Sequence, residues 1–268
     1  MAARVRRNWL GLTCVALLVF LYAPLVIAVV YAFNDSRRLT WPPTGFSLKW
    51  FSEIFSDDLF SKALTTSVIA ATITAVVAGI IGTAAAIVFT RRRSRTARAL
   101  EGFGLLPVML PPLFIAIGLV ATMNVANISP AMWTIVAGHT LVAIPFVLVV
   151  IVARLRTFDV ELESAARDLG AGPRQVLWRI TLPIIAPAVL GAMLLAFAIS
   201  FDEVLITNFT SGTQSTVPLY VLGRLRRFID PGANAVATIL LLVPWIALAV
   251  GALFLRRSGG SRAVGEGA

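Results

Sequence analysis

Apolar and polar positions are unevenly spread along the chain. The apolar ones gather into six long runs, 9–33, 64–90, 102–124, 130–153, 182–207 and 234–255. About 20 consecutive apolar residues cross a bilayer as a helix, so the pattern predicts an all-α polytopic membrane protein with six transmembrane helices. The first run has no charge from Val15 to Val30 and follows Arg4, Arg6 and Arg7. Signal-peptide apolar stretches run to only about 7–15 residues, so this run is read as an uncleaved first helix. Pro107, Pro111 and Pro112 in the third run and Pro145 in the fourth each remove a backbone donor, which predicts kinks. Gly79 and Gly82, with Ala78 and Ala84 to Ala86, make a small-residue face on the second run. Bundle packing accounts for it, and a moving gate is the sharper alternative.

Composition strengthens the membrane reading. Of 268 residues, 58% are hydrophobic and 13% charged, with a mean hydropathy of +0.88. A soluble domain has about twice that charge, so soluble enzymes, disordered chains and collagen-like chains are excluded. The net charge is +10, and its distribution indicates topology. The segments 1–8, 91–101, 154–181 and 256–268 hold 16 basic residues, whereas 34–63, 125–129 and 208–233 hold 7. The basic side is the cytoplasmic side, which predicts that both termini are cytoplasmic. The run Arg91-Arg92-Arg93-Ser94-Arg95 is read as a topology anchor with anionic lipid as its contact, not as a nucleic-acid site. The single cysteine, Cys14, and single histidine, His139, leave no disulfide, no cysteine cluster and no two-histidine metal site. His139 lies in the fourth run, beside Thr140. A proton relay would need ionisable partners in other runs, so a hydrogen-bonded structural role is favoured.

The loop 154–181 is the most informative segment. Leu162, Ala165, Ala166 and Leu169 fall on one helical face, while the polar face is acidic. Gly170 and Gly172 end that helix, because glycine tolerates the left-handed conformation. Pro173 starts a second short helix with Val176, Leu177 and Ile180 as its apolar stripe. An acidic helix is repelled by anionic lipid, so a protein partner is the better match for this small-residue surface.

Ala165-Ala166, three residues, Gly170, nine residues, Ile180, one residue, then Leu182-Pro183 resembles the EAA loop of ABC importer permeases. Ser164 stands at the family's glutamate position, and Glu163, immediately before it, is a candidate replacement. The resemblance extends through Phe33-Asn34-Asp35-Ser36, Gly138-His139-Thr140, Ile144-Pro145-Phe146-Val147, Ser200-Phe201-Asp202-Glu203 and Pro218-Leu219-Tyr220. Those stretches are similar to spermidine/putrescine permeases, specifically the second permease subunit of such importers. The resemblance implies a type I ABC importer permease fold in a bacterial inner membrane. It divides the chain into a first helix with an external segment (1–60), a transport domain (61–255) and a cytoplasmic tail (256–268). It implies that Glu163, Ser164, Ala165, Ala166, Gly170, Ile180, Leu182 and Pro183 couple to a cytoplasmic ATPase dimer. The further partners it implies are a second, related permease and an extracytoplasmic solute-binding protein. No cofactor or metal is expected on this chain, with ATP and Mg on the ATPase; no Walker A sequence occurs here.

Asp202 and Glu203 are the only acidic residues within the six runs. A carboxylate in a span is costly and marks a candidate functional site. One reading is a wetted carboxylate near the outer face; the other is a counter-charge for a cationic substrate, with Asp202 facing the pathway. Phe201, Phe209 and Tyr220 are the aromatic candidates for cation–π contact. Arg224, Arg226 and Arg227 would repel a polyamine and are expected to meet acidic residues of a partner. An ion-driven secondary transporter would call for several intramembrane ionisable groups. An intramembrane enzyme would call for a nucleophile–base pair. The chain supplies neither.

Overall fold

A computed structural model describes the backbone of residues 2–37, 40–92, 94–226 and 231–263. Side chains of 1–8 and 254–268 lie outside that description, as do Arg93 and Arg227. The expectations for Arg4, Arg6, Arg7, Arg93, Arg227 and the tail therefore fall outside the described residues. The helices in order are α1 (Ala2–Ala32), α2 (Lys49–Phe55), α3 (Asp58–Arg91), α4 (Arg95–Gly104), α5 (Leu106–Met109), α6 (Pro112–Val125) and α7 (Met132–Arg156). They continue as α8 (Glu161–Asp168), α9 (Pro173–Val176), α10 (Leu182–Asp202), α11 (Leu205–Thr210), α12 (Val217–Leu225) and α13 (Pro231–Ala263).

Five helical stretches are long and apolar enough to span a bilayer: Gly11–Ala32, Asp58–Arg91, Met132–Arg156, Pro173–Asp202 and Pro231–Leu253. They fall on five of the six predicted runs. The continuous helix expected over 102–124 is corrected to three pieces, α4, α5 and α6, interrupted at Leu110-Pro111. Leu110 is extended (φ −91°, ψ 135°) because the following proline excludes the helical region. Pro112 then supplies a ready first turn for α6. Pro145, by contrast, is carried inside an uninterrupted α7.

The fifth run differs at both ends. The second short helix expected after Gly172 is one turn, α9. It passes through a π-helical turn, Leu177–Thr181, directly into α10. The wider turn sits just ahead of Pro183, where the ring and missing N–H disrupt the ordinary i→i−4 ladder. At the other end the helix stops at Asp202 rather than reaching 207. Glu203 is extended (ψ 114°), and α11 begins afresh.

The chain forms two compact units. One comprises residues 1–61 with 220–242, the other 62–219 with 243–268. In the first, Trp50, Ile54 and Phe60 are fully buried. The Trp50 indole N–H donates to the Asn34 carbonyl at 2.6 Å, and a short antiparallel bridge pairs Asn34 with Phe46. α1 buries none of its apolar window, as a helix whose surroundings are lipid or another chain does.

In the second unit α7 and α10 form the centre, with Ala143, Val147, Leu148, Ile151, Ile185, Ala192 and Ala196 buried. Here the small-residue face of α3 has its structural reason. A Cβ added at Gly82 would stand 2.7 Å from Val147, and one at Gly79 would stand 2.5 Å from Met193. Glycine at both positions lets α3 pack closely against α7 and α10.

Candidate functional site

Two sites emerge within the second unit. At one, α8 presents its two faces very differently. Glu163 is 3% exposed. One of its oxygens accepts from Arg91 at 2.5 Å and from the Thr181 hydroxyl at 2.6 Å. The other lies 3.5 Å from Arg167, one turn along the same helix. Arg91 ends α3 and also stands over the Phe158 ring at 5.1 Å. Glu163 thus ties α8 to the last residue of α3 and to the π-turn beneath α10. On the other face Leu162, Ala165 and Leu169 are exposed, Leu169 by 90%, and Ala166 is half-buried. Gly170 then turns the chain with φ +84° and open space around it. Its requirement is backbone conformation alone, as a left-handed helix terminus demands. Ser164 is exposed, and its hydroxyl reaches the Val160 carbonyl at 3.4 Å. Ile180 packs with the central core, beside Leu182, and Pro183 is half-buried.

At the other site, the break after α10 is held from α7. His139 is 2% exposed. Its Nδ1 is 2.7 Å from the Ser200 hydroxyl and its Nε2 2.7 Å from the Thr207 hydroxyl. One imidazole therefore spans the interruption, with α10 on one nitrogen and α11 on the other. This is the structural, hydrogen-bonded histidine favoured above. Thr207 donates onward to the Glu203 carbonyl at 2.7 Å, and Thr134 donates to the Thr210 carbonyl at 2.7 Å. Gly138 makes the approach possible: a Cβ there would stand 2.5 Å from Ile206.

The acidic pair divides its tasks at this break. Glu203 accepts from the Ile206 N–H at 3.0 Å, which serves the first turn of α11. Asp202 is exposed, and no hydrogen bond or ion pair engages it among the described residues. It ends α10, where the unpaired carbonyls already carry the negative end of the helix dipole. A carboxylate there adds to that negative potential instead of compensating it. Phe201 is 1% exposed and stacks on Phe197 with ring centroids 5.8 Å apart, so its faces are taken by the core. Phe209 is partly exposed, at 38%.

Tyr220 belongs to the first unit, within a cluster that the sequence did not signal. Its hydroxyl donates to Asp57 at 2.7 Å and accepts from Arg224 at 3.1 Å. Its ring meets Phe60 edge-on at 5.5 Å. Arg224 also lies 3.6 Å from Glu53, so it meets acidic groups of its own chain as well as any it finds elsewhere. Burial alone would push the Asp57 carboxyl up. The Tyr220 hydroxyl, the Leu59 and Phe60 amides and the Arg224 charge outweigh it and hold the carboxyl below its ordinary value. Burial and the same Asp57 bond push the Tyr220 phenol up.

The sequence missed four of these partners: Arg91 and Thr181 for Glu163, and Ser200 and Thr207 for His139. The available signal was the spacing of Ser200, Glu203 and Thr207, polar residues three and four apart within an apolar run.

Residues 75–258 match the family of binding-protein-dependent transport system inner membrane components. The chain belongs to this family. It is an inner-membrane permease subunit of an ABC importer. It is 34% identical over 241 residues to the spermidine/putrescine transport system permease protein PotC of Haemophilus influenzae, covering 89% of this chain and 93% of that one. It is 36% identical over 249 residues to the putrescine transport system permease protein PotI of Escherichia coli, covering 88% and 87%. Among solved structures it superposes on a bacterial ABC transporter involved in import of the acidic polysaccharide alginate. That match has a TM-score of 0.69, covers 95% of this chain and 98% of that one, and has 15% identity; it speaks to fold.

Proposed function

We propose that this permease carries polyamines, spermidine or putrescine, into the cytoplasm. ATP is hydrolysed on a separate ATPase dimer that docks against α8, while the solute arrives from an extracytoplasmic binding protein. A second, related permease completes the pathway, and lipid surrounds the pair. The chain crosses the membrane six times with both termini inside. The broken segment α5–α6 serves as the third crossing within a transport domain of residues 61–255. Residues 1–60 supply the first crossing and an external segment.

The observation that carries the substrate is the carboxylate of Asp202, exposed and without a partner among the described residues, at the negative end of α10. An ammonium group entering a low-dielectric pathway needs an opposing charge, and helix carbonyls with an adjacent carboxylate supply one. Relatives named for polyamines, at 34% and 36% identity, support the same assignment. The uncovered apolar stripe Leu162, Ala165 and Leu169 supports the docking role of α8. Glu163 anchors that helix from behind in place of a glutamate at position 164.

The test is uptake of radiolabelled spermidine and putrescine in cells lacking other polyamine uptake. Asp202→Asn should lower uptake with membrane level and ATPase assembly unchanged. The lost charge-assisted contact corresponds to about ten- to a hundredfold in apparent affinity, and Glu203→Gln should do less. Unchanged uptake by Asp202→Asn would assign that carboxylate to another role.

A further inference from the structure

A cavity of about 530 Å³ opens where the end of α3, the start of α4 and the end of α7 meet. Among the described residues four arginines line it, Arg91, Arg92, Arg98 and Arg156, together with Ser94 and one acidic residue, Glu101. Two of the four cations are already matched: Arg91 by Glu163 at 2.5 Å and Arg156 by Glu101 at 3.1 Å. Arg92 and Arg98 have no acidic partner among the described residues. The cavity therefore holds uncompensated positive charge. It also receives the N-terminus of α4, which Ser94 caps and whose dipole favours an anion.

A second, smaller cavity of about 250 Å³ adjoins it and shares Glu101 and Arg156. Its other walls are wholly apolar: Leu105, Leu148, Val149, Val152 and Ala153. The Arg156–Glu101 pair stands at the boundary between the two. A phosphate ion or a nucleotide would use the first cavity and has no use for the second. An amphiphile with an anionic head uses both.

We propose that the two cavities together bind one anionic phospholipid, with its phosphate among Arg92, Arg98 and Ser94 and an acyl chain in the Leu105–Ala153 groove. The proposal rests on the membrane placement given under the proposed function, which sets the ends of α3 and α7 at headgroup level. The bound lipid would lie against Arg91, and through Arg91 against Glu163 and α8. Lipid occupancy and the position of the docking helix are thus linked through one ion pair.

Native mass spectrometry of the assembled transporter, titrated with phosphatidylglycerol and with phosphatidylcholine, tests it. The intact complex should retain phosphatidylglycerol in preference to phosphatidylcholine, and millimolar inorganic phosphate should not displace it. Arg92→Gln with Arg98→Gln should weaken retention by about twenty- to thirtyfold, a factor of about five for each basic residue facing an anionic headgroup. Ala153→Trp, at an exposed position that tolerates bulk, should weaken retention by filling the groove while leaving all four arginines in place. Equal retention by the double arginine variant overturns the proposal. So does displacement by inorganic phosphate, which would make the site one for a free anion. Loss of the lipid whenever the ATPase is bound would make it a protein interface instead. The readout is adduct mass, so it stands or fails separately from polyamine uptake and from reporters of sidedness.

Discussion

Replacing Glu163 by alanine tests the claim that α8 is held from behind by one carboxylate. The residue is 3% exposed, and two of its contacts are short, 2.5 Å to Arg91 and 2.6 Å to Thr181. The third, to Arg167 at 3.5 Å, involves a side chain 56% exposed and contributes about 0–0.5 kcal/mol. Breaking a buried ion pair by removing one partner costs about 3–5 kcal/mol. The Arg91 side chain retains 25% exposure and can recover some hydration, which places the loss at the lower end, about 3 kcal/mol. At 1.4 kcal/mol per factor of ten, the population of undocked α8 should rise by about a hundredfold. Hydrogen exchange of the amides over 161–170 in the assembled complex reads this directly, with stimulated ATPase activity as the functional measure. Glu163→Gln should fall between the two, since it keeps an acceptor for Thr181 and loses the charge. Alanine-variant amides exchanging at the rate of the unaltered protein would refute the anchoring role.

The other perturbations address separate links. Gly170→Val should strain the φ +84° turn by about 1–2 kcal/mol and lower ATPase assembly. Gly170→Asn should retain most of it, because asparagine visits that region; equal loss in both would point away from backbone conformation. Gly138→Ala should separate α7 from α11, since its Cβ would press on Ile206 at 2.5 Å, at a cost of about 1–3 kcal/mol. Thermal unfolding of the purified subunit should record the fall, and an unchanged midpoint would contradict the tight contact. The Asp57–Tyr220 bond should stabilise its unit over a defined pH window. A depressed carboxyl contributes stability that is lost as pH falls through its folded value, below the ordinary 3.8. A raised phenol contributes stability that is lost as pH climbs above about 10. Tyr220→Phe should flatten both limbs of a pH–stability curve, and an unaltered curve would count against the bond.

Much of this architecture was legible because the bilayer simplifies the code. Five of the six apolar runs coincide with helices long enough to cross, since in lipid a backbone can satisfy itself in few other ways. Gly170 was readable too, because no other residue takes a left-handed turn as cheaply. The failures share a cause. Pro111 reads as a kink but ends a helix, and the second short cytoplasmic helix reads as separate but runs through a π-turn into α10. Local sequence announces that a ladder is interrupted, and packing decides how the interruption is absorbed. The break at Glu203 was invisible for a similar reason. Its stability comes from His139, more than 60 residues earlier in the chain. Glu163 stands out in the sequence, but its partners Arg91 and Thr181 lie 72 and 18 positions away.

The central claim is that this permease moves polyamines by ATP-driven import. Proteoliposomes containing the assembled transporter, loaded with ATP and Mg, and supplied outside with the solute-binding protein and radiolabelled spermidine, test it most directly. The expected result is accumulation inside that requires hydrolysable ATP and that Asp202→Asn reduces. Accumulation that proceeds equally without ATP, or ATP-driven import of some other solute with none of any polyamine, would contradict the claim.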